Sequence, residues 1–203
     1  MPSLRNLVLL FGAATLVVIV AVAGLLWHWD ARQVQTSAGE ALIGGPFTLT
    51  DQHGERVTEQ DFAGRFLLVY FGYTFCPDIC PTSLTVMAAA IDELPQAQAE
   101  QVVPVFITVD PARDTVEQLA DYAPLFHPRL VALTGSEEEV RGAARAYRVY
   151  YHVPEEDGDA YLVDHSTFVY LMGPDGSYRT HFGIDASPEE VAERITEEIE
   201  ASG

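Results

Sequence analysis

Lysine is absent from the 203 residues, so eleven arginines carry all the side-chain positive charge against thirty Asp and Glu, a formal net charge of -19. A surface this negative repels polyanions, which excludes nucleic acid and anionic lipid as partners. The composition reads as that of a low-lysine or salt-adapted source, in preference to a dedicated acidic docking face. No internal repeat or low-complexity tract is present. Cysteine is scarce: Cys76 and Cys80 are the only two.

What is present begins with a long apolar run. Residues 7–27, LVLLFGAATLVVIVAVAGLLW, contain no charge. At ~1.5 Å rise per residue, a helix of that length spans a ~30 Å hydrocarbon core. Arg5 and the α-amino group precede the run, and Asp30, Arg32 and Glu40 follow it. That order favours a cytoplasmic N-terminus and a body translocated outward. Ala21, Val22 and Ala23 resemble a signal-peptide cleavage site. However, the run exceeds the ~7–15 residues of a signal core, and Trp27 and Trp29 stand where an interfacial aromatic belt is expected. A retained anchor is the preferred reading. No cysteine follows the run closely enough for a lipidated N-terminus. Residues 1–29 are therefore expected to be a membrane anchor, 30–45 a polar tether and 46–203 an exported domain. The expected placement is the inner (cytoplasmic) membrane, single-pass, with the domain on the periplasmic side. In an oxidising compartment two free thiols do not persist unless something maintains them. The pair is a disulfide, or a maintained dithiol with a task.

Within the body, PFTLTDQHGERVT alternates around a turn containing Gly54, a hairpin signal. FLLVYFGY, 66–73, is a continuous β-rich apolar run, as in a strand buried on both faces. SLTVMAAAIDEL, 83–94, has helical period and is stopped by Pro95. VVPVFITV, 102–109, predicts a second buried strand. Asp114 is placed to cap a helix running to Tyr122. A short strand, 130–134, precedes a helix from Ser136 to Tyr147, where Ser136 and Glu139 form a capping box. Strands 168–172 and 178–182 flank a turn at Pro174, Asp175 and Gly176, and Ser187-Pro188 opens a last helix. This alternation predicts an α/β sandwich with a mixed central sheet. Glu155 to Asp159 form an acidic segment, read as a solvated loop.

The cysteines lie in YFGYTFCPDICPTSL, 70–84, between a buried strand and a helix. A helix N-terminus presents free N–H groups and partial positive charge, which stabilise a thiolate. If the segment forms a helical turn, the two sulfurs share a face, with Cα atoms ~6 Å apart. That spacing suits a disulfide, a redox pair or two ligands of one ion. A structural disulfide closing so small a loop would constrain the unfolded chain little. Among the six histidines, His165 stands out, because strand ends and adjoining loops line sites in sheets of this kind. Asp164 beside it could orient the ring. Two thiolates and an imidazole form a soft, low-coordinate set, suited to Cu(I), or to Cu(II) with a further ligand; a structural zinc site would want four protein ligands.

The ordered segments YFGYTFCPDICPTSL, VFITVDPARDT, LFHPRLVALTG, AYRVYYHV and YLVDHSTFVYLMGPDG resemble the Sco/SenC family of copper proteins over residues 46–182. The resemblance implies a thioredoxin-like fold behind an N-terminal membrane helix. It implies copper held by Cys76, Cys80 and His165. It implies delivery of copper to, or reduction of thiols in, the dinuclear copper centre of cytochrome c oxidase subunit II, with a copper donor or a thiol reductant as a second partner. Asp110, Asp114 and Asp164 match family motifs as supporting residues. Where ordinary thioredoxins carry a cis-proline, this chain reads Asp164-His165-Ser166. Phe75 departs from the polar residue, such as histidine, that many relatives have before the first cysteine; it removes a possible auxiliary ligand or proton relay. Two readings remain open: a copper chaperone needing all three ligands, and a thiol–disulfide oxidoreductase needing only the cysteines.

Overall fold

The computed structural model describes residues 43–154 and 161–202. The expected anchor, nearly all of the tether and the acidic segment 155–159 lie outside the described residues. Among the described residues, no helix is long and apolar enough to cross a membrane.

The strands are β1 (Thr48–Asp51), β2 (Arg56–Thr58), β3 (Phe66–Gly72), β4 (Val102–Thr108), β5 (Val131–Thr134), β6 (Tyr151–His152), β7 (Asp164–His165), β8 (Val169–Met172) and β9 (Tyr178–Phe182). The helices are α1 (Ile79–Glu93), the one-turn α2 (Gln96–Ala99), α3 (Val116–Tyr122), α4 (Glu137–Ala146) and α5 (Pro188–Ser202). Seven strands form one mixed sheet in the order β2-β1-β5-β4-β3-β8-β9. The β3–β4 and β4–β5 pairs are parallel, and the others are antiparallel.

β3 and β4 hold the centre, and every residue in them is buried. Their unbroken apolar sequence follows from that position, since a central strand with both faces covered has no solvent side to make polar. Alternation along β3 sends neighbouring side chains to opposite faces. Tyr70 and Gly72 face the start of α1, where Gly72 abuts Cys80, whereas Phe71 packs on Tyr147 at the end of α4. α5 lies against α1. Ile43 to Gly45, read from sequence as the end of the tether, run along the domain, and Gly44 N–H donates to Ala146 O at 2.9 Å.

Two local expectations change, and one short element is added. The cysteine helix begins at Ile79 rather than at Ser83, which places Cys80 in its first turn. Pro81 is compatible with that turn because its missing N–H would have no intrahelical acceptor there. The cap of α3 is Thr115, whose hydroxyl accepts from Gln118 N–H, and not Asp114. Finally, a two-residue ladder pairs Tyr151 with His165 and His152 with Asp164; its strands are too short to leave a periodic trace in the sequence.

Candidate metal centre

Cys76 precedes α1 and is half-buried; Cys80 is fully buried; both are free thiols. His165 arrives from β7, beside the end of β3. The Sγ atoms of Cys76 and Cys80 and a ring nitrogen of His165 all lie within 4.8 Å of one another. Three donors held at about 2.3 Å around one ion in a plane are about 4 Å apart, so small side-chain shifts would bring these three onto a common ion.

The helix start treats the two sulfurs differently. Cys80 N–H points at Cys76 Sγ, 3.4 Å away. Burial works against the Cys76 thiolate, but N–H groups of Asp78, Cys80 and Ile79 outweigh it, so the Cys76 pKa falls below the ordinary thiol value. At Cys80 burial dominates over the smaller opposing pull of the Tyr73 N–H, and its pKa is pushed up to about 12. One sulfur is poised to ionise, and the other holds its proton.

That proton has an acceptor. His165 Nδ1 lies 2.8 Å from the carbonyl of Ser166. A carbonyl only accepts, so Nδ1 carries the hydrogen and Nε2 keeps its lone pair. Cys80 Sγ is 3.4 Å from that Nε2. Burial lowers the His165 pKa, against the opposing pull of the Ser166 carbonyl and Asp164. The imidazole is therefore neutral at neutral pH, the form that binds a metal. The ring is held through Ser166, whereas the Asp164 side chain is exposed and reaches it only through its charge. Tyr70 and Tyr73 flank the ring edge-on, with centroids 6.1 and 5.8 Å away.

Supporting groups tie the cysteine loop to the sheet. The buried Asp114 carboxylate accepts from Thr74 N–H at 3.0 Å, and from the hydroxyls of Thr74 and Thr108 at 2.6 Å each. It thereby joins the loop to the end of β4. Asp110, also buried, pairs with Arg113 and accepts from the Tyr161 hydroxyl at 2.8 Å. The Arg113 guanidinium lies over the rings of Tyr161, Phe75 and Tyr73, at 3.5, 4.8 and 5.7 Å from their centroids. Phe75, the departure from the family pattern noted in the sequence, thus covers a buried ion pair beside Cys76 while leaving half of its own surface exposed.

Sequence reasoning missed Gly72. A Cβ on it would lie 2.9 Å from Cys80 Sγ, 2.9 Å from Tyr70 Cε1 and 3.0 Å from Phe106 Cε2. The bare backbone leaves the volume that the buried sulfur occupies. The available signal was a glycine inside an otherwise apolar strand, which marks a close approach.

Two thiolates and one imidazole at this spacing suit a soft ion of low coordination number. No further His, Cys, Asp or Glu joins the group among the described residues, so the four ligands of a structural zinc site are not assembled there.

Comparison with known proteins adds an independent line. The SCO1/SenC family model matches residues 35–200. The mitochondrial SCO1 homolog 1 of Arabidopsis thaliana is 43% identical over 192 residues, 87% of this chain and 58% of its own length, so this chain spans less than two thirds of that relative. The crystal structure of A. thaliana ScoI with copper bound shares 47% identity at a TM-score of 0.74, covering 78% of this chain and 99% of that one. BsSco, described as a member of the Sco family of cytochrome c oxidase assembly proteins with a disulfide switch, shares 27% identity at a TM-score of 0.62, covering 80% of this chain and 95% of that one.

Proposed function

Because the chain belongs to the SCO1/SenC family and has the expected mixed-sheet, thioredoxin-like domain, we propose that it is a membrane-anchored copper chaperone of cytochrome c oxidase assembly. Copper is its cargo. Cys76, Cys80 and His165 hold the ion, and the acceptor is the dinuclear copper centre of oxidase subunit II. The observation that carries this reading is the convergence of these three donors within 4.8 Å. Cys76 and His165 are only half-buried, which gives an acceptor a side from which to exchange ligands. Residues 7–27 anchor the chain in the inner membrane, and the domain faces the periplasm.

The test is a copper(I) titration of the reduced full-length chain in detergent against a competing chelator. One ion per wild-type chain is expected. Cys76→Ser and His165→Ala should each weaken binding at least tenfold while leaving the domain folded by circular dichroism. Wild-type affinity in both variants would refute the ligand assignment.

The unequal thiols support a second reading. Cys76, with the lower pKa and the greater exposure, is placed to attack a disulfide, and Cys80 to resolve the adduct. In that reaction the chain's two thiols give two electrons and two protons to a partner's disulfide, leaving Cys76 bonded to Cys80 and the partner reduced. The partner is again oxidase subunit II, and a thiol reductant restores the pair. A mixed disulfide trapped by Cys80→Ser would support this activity. Its persistence in His165→Ala would separate it from copper binding.

A further inference from the structure

The hydroxyl of Tyr70 is buried and has no hydrogen-bond partner among the described residues. An unpartnered buried hydroxyl is unfavourable by roughly 1–3 kcal/mol, and native proteins keep few of them. This one is beside the metal centre. Tyr70 sits on β3, two residues before Gly72, and its Cε1 and the Cys80 sulfur flank the same bare glycine, each 2.9 Å from the position a Cβ would take. Its hydroxyl faces the Cys80 sulfur and the Ser83 side chain without closing a well-formed bond to either. With the Cys80 proton directed at His165 Nε2, the sulfur is a neutral thiol and a weak acceptor.

Metal loading changes that balance. On loading, the Cys80 proton would be released to solvent, Nε2 would turn its lone pair to the ion, and the sulfur would become a buried anion. Cys76 already has the backbone N–H groups of the helix start. Besides its fellow ligands Cys76 and His165, the groups facing Cys80 are Tyr73 N–H and the Tyr70 hydroxyl. Resting on the copper reading above, we propose that Tyr70 is a positioning residue for the cargo: its hydroxyl, unpartnered in the thiol form, donates an O–H···S hydrogen bond to Cys80 when copper is bound. Such a bond draws electron density from the sulfur. It weakens thiolate donation to the ion and so favours Cu(I) over Cu(II), hydrogen bonding at a cysteine sulfur being one of the ways proteins tune bound copper.

The test compares Tyr70→Phe with wild type in the full-length chain, with Tyr122→Phe as the control. The Tyr122 hydroxyl is likewise buried without a partner among the described residues; its ring packs on Phe106 and Phe126, and it senses the charge of Cys80 and Cys76 without hydrogen-bonding either, so it controls for a nearby polar group that is not bonded to the sulfur. For Tyr70→Phe we expect an apo melting temperature equal to or above wild type, since only an unpartnered hydroxyl is lost. Cu(I) affinity should fall about 2- to 10-fold, the range for one hydrogen bond. The thiolate-to-Cu(II) absorption band should move to lower energy. Tyr122→Phe should leave the affinity and the band at wild-type values. The proposal is overturned if the Tyr70→Phe band and affinity match wild type, if Tyr122→Phe shifts them equally, or if Tyr70→Phe lowers apo stability, which would mean that the hydroxyl is already bonded in the thiol form. A wild-type chain that takes no copper would overturn the copper reading together with this proposal. Normal wild-type loading beside an unaffected Tyr70→Phe would overturn this proposal alone.

Discussion

At the scale of single residues, the centre depends on atoms that are not ligands. Gly72 is the sharpest case: a methyl group there would lie 2.9 Å from the Cys80 sulfur, and the central sheet leaves no room for the backbone to retreat. Gly72→Ala should destabilise the domain by about 1–3 kcal/mol through overpacking. It should also lower metal affinity by moving the sulfur, which urea denaturation and copper titration would measure separately. Stability without metal should respond to pH through His127, which is buried and held below the usual histidine pKa first by burial and then by the Arg129 charge, against the pull of Asp92. Its Nδ1 accepts from Arg129 N–H at 3.1 Å, a contact only the neutral ring can make. Because the folded pKa is depressed, the unfolded chain takes up the proton first as pH falls. The contribution is complete above about 6.5, the unfolded value, and is lost as pH drops through the folded one. The urea midpoint of apo protein should therefore decline on going from pH 7.5 to 5, and His127→Gln should flatten that decline. The sequence alone singled out Cys76, Cys80 and His165. It left their use open, because spacing cannot distinguish a disulfide from a ligand pair, and His165 reaches Cys80 across 85 residues.

At the scale of elements, the strongly patterned segments were legible and the short ones were not. β3, β4 and the β8–β9 hairpin follow from apolar runs and turn residues. The capping box of α4 is formed as expected by Ser136 and Glu139, and Glu139 also pairs with Arg56 on β2, which no local pattern could reveal. Asp114 was misjudged because aspartate and threonine are both good N-caps. The choice fell to Thr115 because the hydroxyls of Thr74 and Thr108 engage the buried carboxylate instead. The end of α4 carries a testable irregularity. Val149 N–H bonds to Ala144 O and Arg148 N–H to Arg145 O, the paired bonds of a Schellman ending. The left-handed position falls on Arg148, at φ 57°, rather than on glycine. Arg148→Gly should relieve that strain and raise stability by about 0.5–1 kcal/mol, read as a higher urea midpoint with an unchanged slope.

At the scale of the whole molecule, a strongly negative chain presents a centre built from neutral and soft groups. A net charge of -19 disfavours the approach of polyanions. The centre itself sits where the parallel strands β3 and β4 end, joined to them by Asp114 and closed on one side by the Arg113, Phe75 and Tyr161 cluster. The fold thus brings three distant parts of the chain, the cysteine turn, the end of β4 and the β7 ladder, to one edge of the sheet. The proposed function requires that copper be held there by two sulfurs and one nitrogen. X-ray absorption spectroscopy of the copper(I)-loaded full-length chain tests it most directly. Two sulfur neighbours and one imidazole nitrogen are expected around the ion, with the imidazole contribution lost in His165→Ala; a copper shell without sulfur, or one unaltered by His165→Ala, would refute the ligand assignment.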